Sequence, residues 1–157
     1  YSGDQMTIQI QVNGTMQSVD TDANTPLLYA LRNDCDINSA KYGCGAGQCG
    51  SCTVIINGNP VRSCITPVGS VKSNITTLES YKNDRVLSAL NKAFITEQAV
   101  QCGFCIAGMM MSAKALLDKN KKPTVRQIKS ALNGNLCRCG THTRIIKAIQ
   151  LASKELA

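Results

Sequence analysis

The chain has 157 residues, a hydrophobic fraction of 43% and a formal net charge of +7, which fits one or two small globular domains. No run approaches 18 apolar residues, so no membrane-spanning helix is expected. The basic residues are scattered and only two Phe, four Tyr and no Trp are available for stacking on bases, which speaks against a nucleic-acid partner.

Met6, Ile8, Ile10 and Val12 alternate with polar residues, the period-two pattern of a half-buried strand. Asn13-Gly14 is a two-residue hairpin signal, and residues 15–19 form the returning strand. Thr25 as N-cap and Pro26 at the first helical position predict a short helix with Leu27, Leu28 and Leu31 on one face, ending near Asn33. A loop carrying Gly43, Gly45, Gly47 and Gly50 follows. Residues 52–56 and 60–64 read as a second hairpin around Asn57-Gly58. A two-residue turn there pairs Ile56 with Asn59 and Cys52 with Ser63, which returns Cys64 beside Cys52. Residues 75–78 supply a last strand.

From about Tyr81 the period changes to that of a helix, with Val86, Leu87, Leu90, Ala93 and Phe94 on one face. A second helix is expected to begin at or just after Cys102 and run to about Asp118. A third covers residues 124–132, with Pro123 ahead of its N-cap, and a fourth runs from Thr143 or Arg144 to Leu151 and beyond. The expected fold class is α+β. Residues 1–80 form a β-grasp, ferredoxin-like domain, and residues 81–157 form a four-helix bundle.

Eight of the nine cysteines fall into two sets of four. Cys44, Cys49, Cys52 and the later Cys64 have the ligand spacing of a plant-type [2Fe–2S] site. The glycines between them let the backbone wrap a cluster closely and turn its N–H groups toward sulfur. Structural zinc also takes four cysteines, but usually from two C-x2-C hairpins rather than across a four-residue gap among glycines. Cys102, Cys105, Cys137 and Cys139 form C-x2-C with a later C-x-C, a spacing that zinc or a redox dithiol also uses. Each of these pairs precedes or opens a helix, whose free N–H groups and positive dipole end suit an anionic thiolate core. The matching set upstream makes a second [2Fe–2S] cluster the consistent choice, and no βαβ context supports a thioredoxin-like motif at Cys102 and Cys105. The tight spacing within pairs argues against disulfides and for clusters loaded in a reducing compartment, the cytoplasm. Two oxidised clusters at about −2 each lower the positive excess to roughly +3. Two one-electron centres in one small chain point to an electron conduit.

Other candidates have plainer readings. Cys35 is expected to be a buried, inert thiol, and Met109, Met110 and Met111 to pack in a core. His142, the only histidine, is read as a neighbour of a cluster or of a partner interface, because a Rieske centre needs two. The lysines from Lys119 to Lys122 read as a solvated helix end. There is no nucleotide loop, no usefully spaced carboxylate pair and no Ser-His-Asp grouping. Tyr1 is not an initiator residue, so an upstream segment is expected, and a cleaved twin-arginine export signal with a periplasmic destination is compatible with the sequence.

YGCGAGQCGSCTV, the Cys64 hairpin, QCGFC and NLCRCGTH together resemble the small iron–sulfur subunit of the xanthine oxidase and aldehyde oxidase family of molybdenum hydroxylases, in the same order over almost the whole chain. The resemblance implies an electron-transfer subunit that passes electrons from a molybdenum–pterin centre through two [2Fe–2S] clusters towards FAD or another acceptor. It implies a hetero-oligomer in which this chain joins a large molybdenum–pterin subunit plus a medium FAD subunit, and a substrate site on the large partner. Aldehydes are the first expectation for the substrate and N-heterocyclic aromatics the second. Cys102, Cys105, Cys137 and Cys139 correspond to the cluster nearest the molybdenum, and Cys44, Cys49, Cys52 and Cys64 to the outer one. Gln101 and Cys139 correspond to pterin contacts, although Gln101 also reads as a polar helix cap. Two places depart from the family pattern: Ile106-Ala107 stand where a hydroxyl residue and Pro are expected, and His142 where an aromatic residue is common. The alternative is a free-standing two-cluster ferredoxin shuttle, for which a helical half and Gln101 have no evident use.

Overall fold

The structure, a computed structural model, describes residues 6–157; Tyr1 lies outside the described residues. Strands β1 (Thr7–Val12) and β2 (Thr15–Asp20) form the first hairpin, with Val12 paired to Thr15. Strands β3 (Thr53–Ile56) and β4 (Asn59–Arg62) form the second, with Ile56 paired to Asn59. Both turns are Asn-Gly, and all four turn residues have positive φ, the type I′ geometry that matches strand twist. Strand β5 (Ile75–Thr76) is only two residues long, yet it joins the hairpins into one sheet of order β2-β1-β5-β3-β4. It runs parallel to β1 and antiparallel to β3. Asn13 serves the first turn and also this junction: its Nδ2 donates to Thr77 Oγ1 at 2.8 Å, and its Oδ1 accepts from Thr77 N at 2.8 Å.

The expected last strand over residues 75–78 is therefore cut to two residues. Thr77 turns to Asn13, and Leu78–Asn83 coil into a 3₁₀ turn. Helix α1 (Leu27–Asp34) forms where expected, with Leu27, Leu28 and Leu31 fully buried. Thr25 does not cap it. The Thr25 hydroxyl pairs with that of Thr21 at 2.8 Å, and Leu27 N donates to Thr66 O at 2.7 Å. Pro26 stays extended and bridges Pro67, so a strand-like contact takes the place of a side-chain cap.

Four helices follow: α2 (Arg85–Thr96), α3 (Ile106–Lys119), α4 (Val125–Ala131) and α5 (His142–Leu156). Asp84 caps α2 by accepting from Leu87 N at 2.9 Å. Thr124 and Gln127 form a reciprocal capping box on α4. Helix α3 begins at Ile106 rather than at Cys102, because Gly103 has positive φ and the chain turns before the helix can start. Met109, Met110 and Met111 are at most 2% exposed, within a core shared with Leu87, Leu90, Phe94 and Ile149. Ile55 of β3 belongs to that core, so the sheet packs directly on α3. Lys114 of α3, its side chain 9% exposed, bonds Asp84 at 2.7 Å and Asp118 at 2.8 Å, which neutralises the cation as burial requires.

Candidate electron-transfer centres

The first cysteine set sits on the loop between α1 and β3 and on the 3₁₀ turn after β4. The hairpin register returns Cys64 as expected: Ser63 donates to Cys52 O from both its N, at 3.4 Å, and its Oγ, at 2.6 Å. Backbone N–H groups crowd the sulfurs. Cys44 Sγ accepts from Ala46 N at 3.3 Å, Gln48 N at 3.2 Å and Cys49 N at 3.4 Å. Cys49 Sγ accepts from Cys44 N at 3.4 Å, and Cys64 Sγ from Gly47 N at 3.3 Å. A Cβ on Gly43 would stand 2.6 Å from Cys49 Sγ, so the loop closes on the sulfurs only with glycine there.

These contacts polarise the set. The N–H of Ala46, then those of Cys49 and Gln48, bring Cys44 down to about 6. Burial, and then the neighbouring Cys52, push Cys64 up to about 11. Cys52 and Cys64 are buried in the sheet core while Cys44 is exposed.

The second set sits where helices begin. Cys105 immediately precedes α3, and Cys137 and Cys139 lie on the loop entering α5. Cys105 and Cys137 pack against the helical core, whereas Cys102 is exposed. Burial, and then Cys137, push Cys105 up to about 12. Burial opposes ionisation of Cys137, but the Thr141 hydroxyl and N–H outweigh it and bring Cys137 down to about 6. A cavity of about 190 Å³ is lined by Cys49, Cys102, Cys105 and Cys137, with Phe104 and Leu136 beside them.

Within each set the thiols influence one another's ionisation: Cys64 feels Cys52 and then Cys44, Cys105 feels Cys137 and then Cys102, and Cys102 feels Cys139 and then Cys137. Among the described residues no three His, Cys, Asp or Glu side chains converge on one ion position. Four neighbouring thiols in each set match the four thiolates that a [2Fe–2S] cluster takes. None of the nine cysteines is in a disulfide. The residues therefore fit a [2Fe–2S] cluster at each set by donor chemistry, with backbone N–H groups on the outer sulfurs and a cavity beside the inner ones.

Three features were not visible in the sequence. Leu136 N donates to Cys49 O at 2.9 Å, which ties the residue before Cys137 to a cysteine of the other set. Asn135, 3% exposed, accepts from Ser112 Oγ at 2.8 Å and donates to Gly50 O at 3.4 Å. Hydroxyls also reach one sulfur in each set: Ser51 Oγ is 3.2 Å from Cys49 Sγ, and Thr141 Oγ1 is 3.4 Å from Cys137 Sγ. NLCRCG placed Asn135 beside a ligand motif, but its role depends on a partner 85 residues away.

The remaining candidates are placed as follows. Gln101 is exposed beside Cys102 and does not cap α3, since Cys105 holds that position. Cys139 is partly exposed. His142 is exposed at the first turn of α5. Cys35 is buried, and burial, then Asp34 and Asp36, raise its thiol above the ordinary range. Lys119, Lys121 and Lys122 are solvated.

Comparison with known proteins follows the same division. Residues 9–90 match a family described as a 2Fe-2S iron-sulfur cluster binding domain, and residues 77–150 match a [2Fe-2S] binding domain. A nicotinate dehydrogenase subunit of Pseudomonas putida is 50% identical over 151 residues, covering 96% of each chain. The aldehyde oxidoreductase iron-sulfur-binding subunit of Escherichia coli O157:H7 is 33% identical, over 96% of this chain and 73% of that one. The crystal structure of quinoline 2-oxidoreductase from Pseudomonas putida 86 superposes with a TM-score of 0.85 at 36% identity, covering 95% of this chain and 94% of that chain. No helix among the described residues is long and apolar enough to cross a membrane.

Proposed function

The chain belongs to the small iron–sulfur subunits of the xanthine oxidase family of molybdenum hydroxylases, and from that premise we propose which residues carry its electrons and between which partners. It is an electron-transfer subunit with two [2Fe–2S] domains, and the substrate site of the enzyme is on another subunit. We assign the outer cluster to Cys44, Cys49, Cys52 and Cys64, and the inner one to Cys102, Cys105, Cys137 and Cys139, with the domain boundary between residues 80 and 81. Each cluster accepts and releases one electron at a time.

The observation that carries the assignment is the set of backbone N–H groups turned onto the sulfurs of Cys44, Cys49 and Cys64, with the Leu136 N–H to Cys49 O bond joining the two sets. Backbone N–H donors offset the negative charge of the outer thiolates, and the sheet core holds Cys52 and Cys64. On the inner set, Cys102 and Cys139 reach the surface together with Gln101 and the half-exposed Phe104. That face suits docking of a large molybdenum–pterin subunit, with Gln101 and Cys139 against the pterin. Cys44, at the exposed rim of the outer set, suits a flavin subunit or another acceptor. The protein supplies position and redox poise, not acid–base chemistry.

For the substrate we place N-heterocyclic aromatics ahead of the aldehydes first expected. Relatives named for nicotinate are 50% and 44% identical, against 33% and 36% for relatives named for aldehydes. Cluster loading is assigned to the cytoplasm, which keeps thiols reduced.

Low-temperature EPR of the dithionite-reduced chain, with iron and zinc measured on the same sample, tests the assignment. Two S = ½ signals and about four irons per chain are expected; one signal with bound zinc would overturn the two-cluster relay.

A further inference from the structure

Thr141 immediately precedes α5, where a threonine hydroxyl ordinarily accepts from an N–H of the first helical turn. Two other helices of the same half show this chemistry in place: Thr124 takes Gln127 N at 3.2 Å on α4, and Asp84 takes Leu87 N at 2.9 Å on α2. Thr141 makes no side-chain cap on α5. Its hydroxyl is turned the other way, 3.4 Å from Cys137 Sγ, and at 4% exposure it is shielded from water. Helices α1 and α3 also start without a side-chain cap, but there the preceding residues are Pro26 and Cys105, whereas at α5 a residue suited to capping is present and its hydroxyl goes to sulfur instead.

We propose that Thr141 is a redox-tuning residue: its hydroxyl donates to the Cys137 thiolate and raises the reduction potential of the inner cluster. A ligating thiolate carries no proton, so in this pair the hydroxyl is the donor. Reduction adds one electron to the cluster and increases the negative charge on its sulfurs. No bond is made or broken and the hydroxyl keeps its proton, so the donor favours the reduced form. The outer set holds an internal comparison. Ser51 Oγ is 3.2 Å from Cys49 Sγ but also 3.1 Å from Lys41 O, and its single proton is divided between two acceptors. Thr141 has no second acceptor among the described contacts, so its whole effect falls on the inner cluster.

The proposal rests on Cys137 being a cluster ligand. EPR-monitored redox titration of the complete enzyme complex tests it. In Thr141→Val, which keeps the shape and removes the hydroxyl, the inner cluster's midpoint should fall by the equivalent of a tenfold change in its one-electron equilibrium, about 59 mV. The outer midpoint should stay in place, and Thr141→Ser should restore the wild-type value. An inner midpoint unchanged in Thr141→Val would overturn the tuning role. If that variant fails to load its cluster, Thr141→Ala against Thr141→Ser removes the hydroxyl alone, and equal midpoints in that pair would overturn the role equally. Failure of the ligand assignment reads differently: Cys137→Ser would then retain both EPR signals.

Discussion

The outer cysteine set takes three of its sulfurs from Cys44, Cys49 and Cys52, and most of its donors from the same stretch, whereas the inner set draws Cys102 and Cys105 from one loop and Cys137 and Cys139 from another. In the outer loop the chain folds on itself, and consecutive N–H groups point at sulfur because glycines let them. In the inner site the geometry is imposed from outside. Helices α3 and α5 must pack before their entry loops face each other, and a capping hydroxyl is diverted to reach a sulfur. One site is thus written in local backbone and the other in tertiary packing, and the junction Gly50–Gly108–Asn135 holds them in register.

Removing one ligand from each side breaks the comparison most completely. Cys49→Ser should abolish the outer EPR signal, lower iron from about four to about two per chain, and stop reduction of the physiological acceptor while substrate still reduces the molybdenum partner. Cys139→Ser should remove the inner signal and trap electrons on the partner. Because clusters couple to folding, each loss should destabilise its own half first. Either variant keeping both signals and full turnover would refute the ligand assignment.

The next largest effect is expected at the junction. A Cβ on Gly108 of α3 would collide with the carbonyl oxygen of Gly50 in the outer loop, and a backbone oxygen cannot swing away as a side chain does. Gly108→Ala should therefore cost about 3 kcal/mol, read as a lowered midpoint in denaturant with altered signals from both clusters. A wild-type midpoint would show that the halves slide past each other freely. Asn135→Leu sharpens the same point with a smaller loss, about 2 kcal/mol, because it strands the Ser112 hydroxyl, which is 2% exposed. Unchanged stability there would mean that packing alone, without the polar latch, sets the register.

The same division decides what was legible in the sequence. Both Asn-Gly hairpins, their registers and the return of Cys64 to Cys52 follow from local rules, and the structure has them. The methionine run and the Thr124 cap were equally local. Misreadings arose where a distant partner competes. Thr25 yields its capping role to a Pro26–Pro67 bridge, and β5 stops after two residues because Thr77 is claimed by Asn13 across 64 positions. Spacing alone left the inner set open between zinc, dithiol and cluster, since its donors come from helix starts that only packing brings together. Ser51, Asn135 and Thr141 lie inside the cysteine motifs, but their hydroxyl or amide becomes meaningful only once its neighbour is known.

The smallest predicted effect tests whether the glycine loop's approach is held by a distant charge. Glu79, in the turn between the halves, accepts from Asn38 N at 3.1 Å, Ser39 N at 2.9 Å, Ser39 Oγ at 2.7 Å and Thr77 Oγ1 at 2.7 Å. Burial opposes ionisation, but the hydroxyls of Ser39 and Thr77 and the Ser39 N–H prevail, and the carboxyl is held below the usual carboxylate range. A depressed folded value stabilises the protein above the unfolded value of about 4.3, and that stabilisation is lost as pH falls through the folded value. Glu79→Gln should therefore speed amide exchange across residues 36–40 at pH 7 by about fivefold, near 1 kcal/mol after allowing for the group's exposure. The gap between variant and wild type should narrow as pH falls towards 4 and vanish below the folded value. A difference that persists unchanged into acid would assign the effect to lost shape rather than lost charge, and would leave the approach to the outer site fixed by its own backbone.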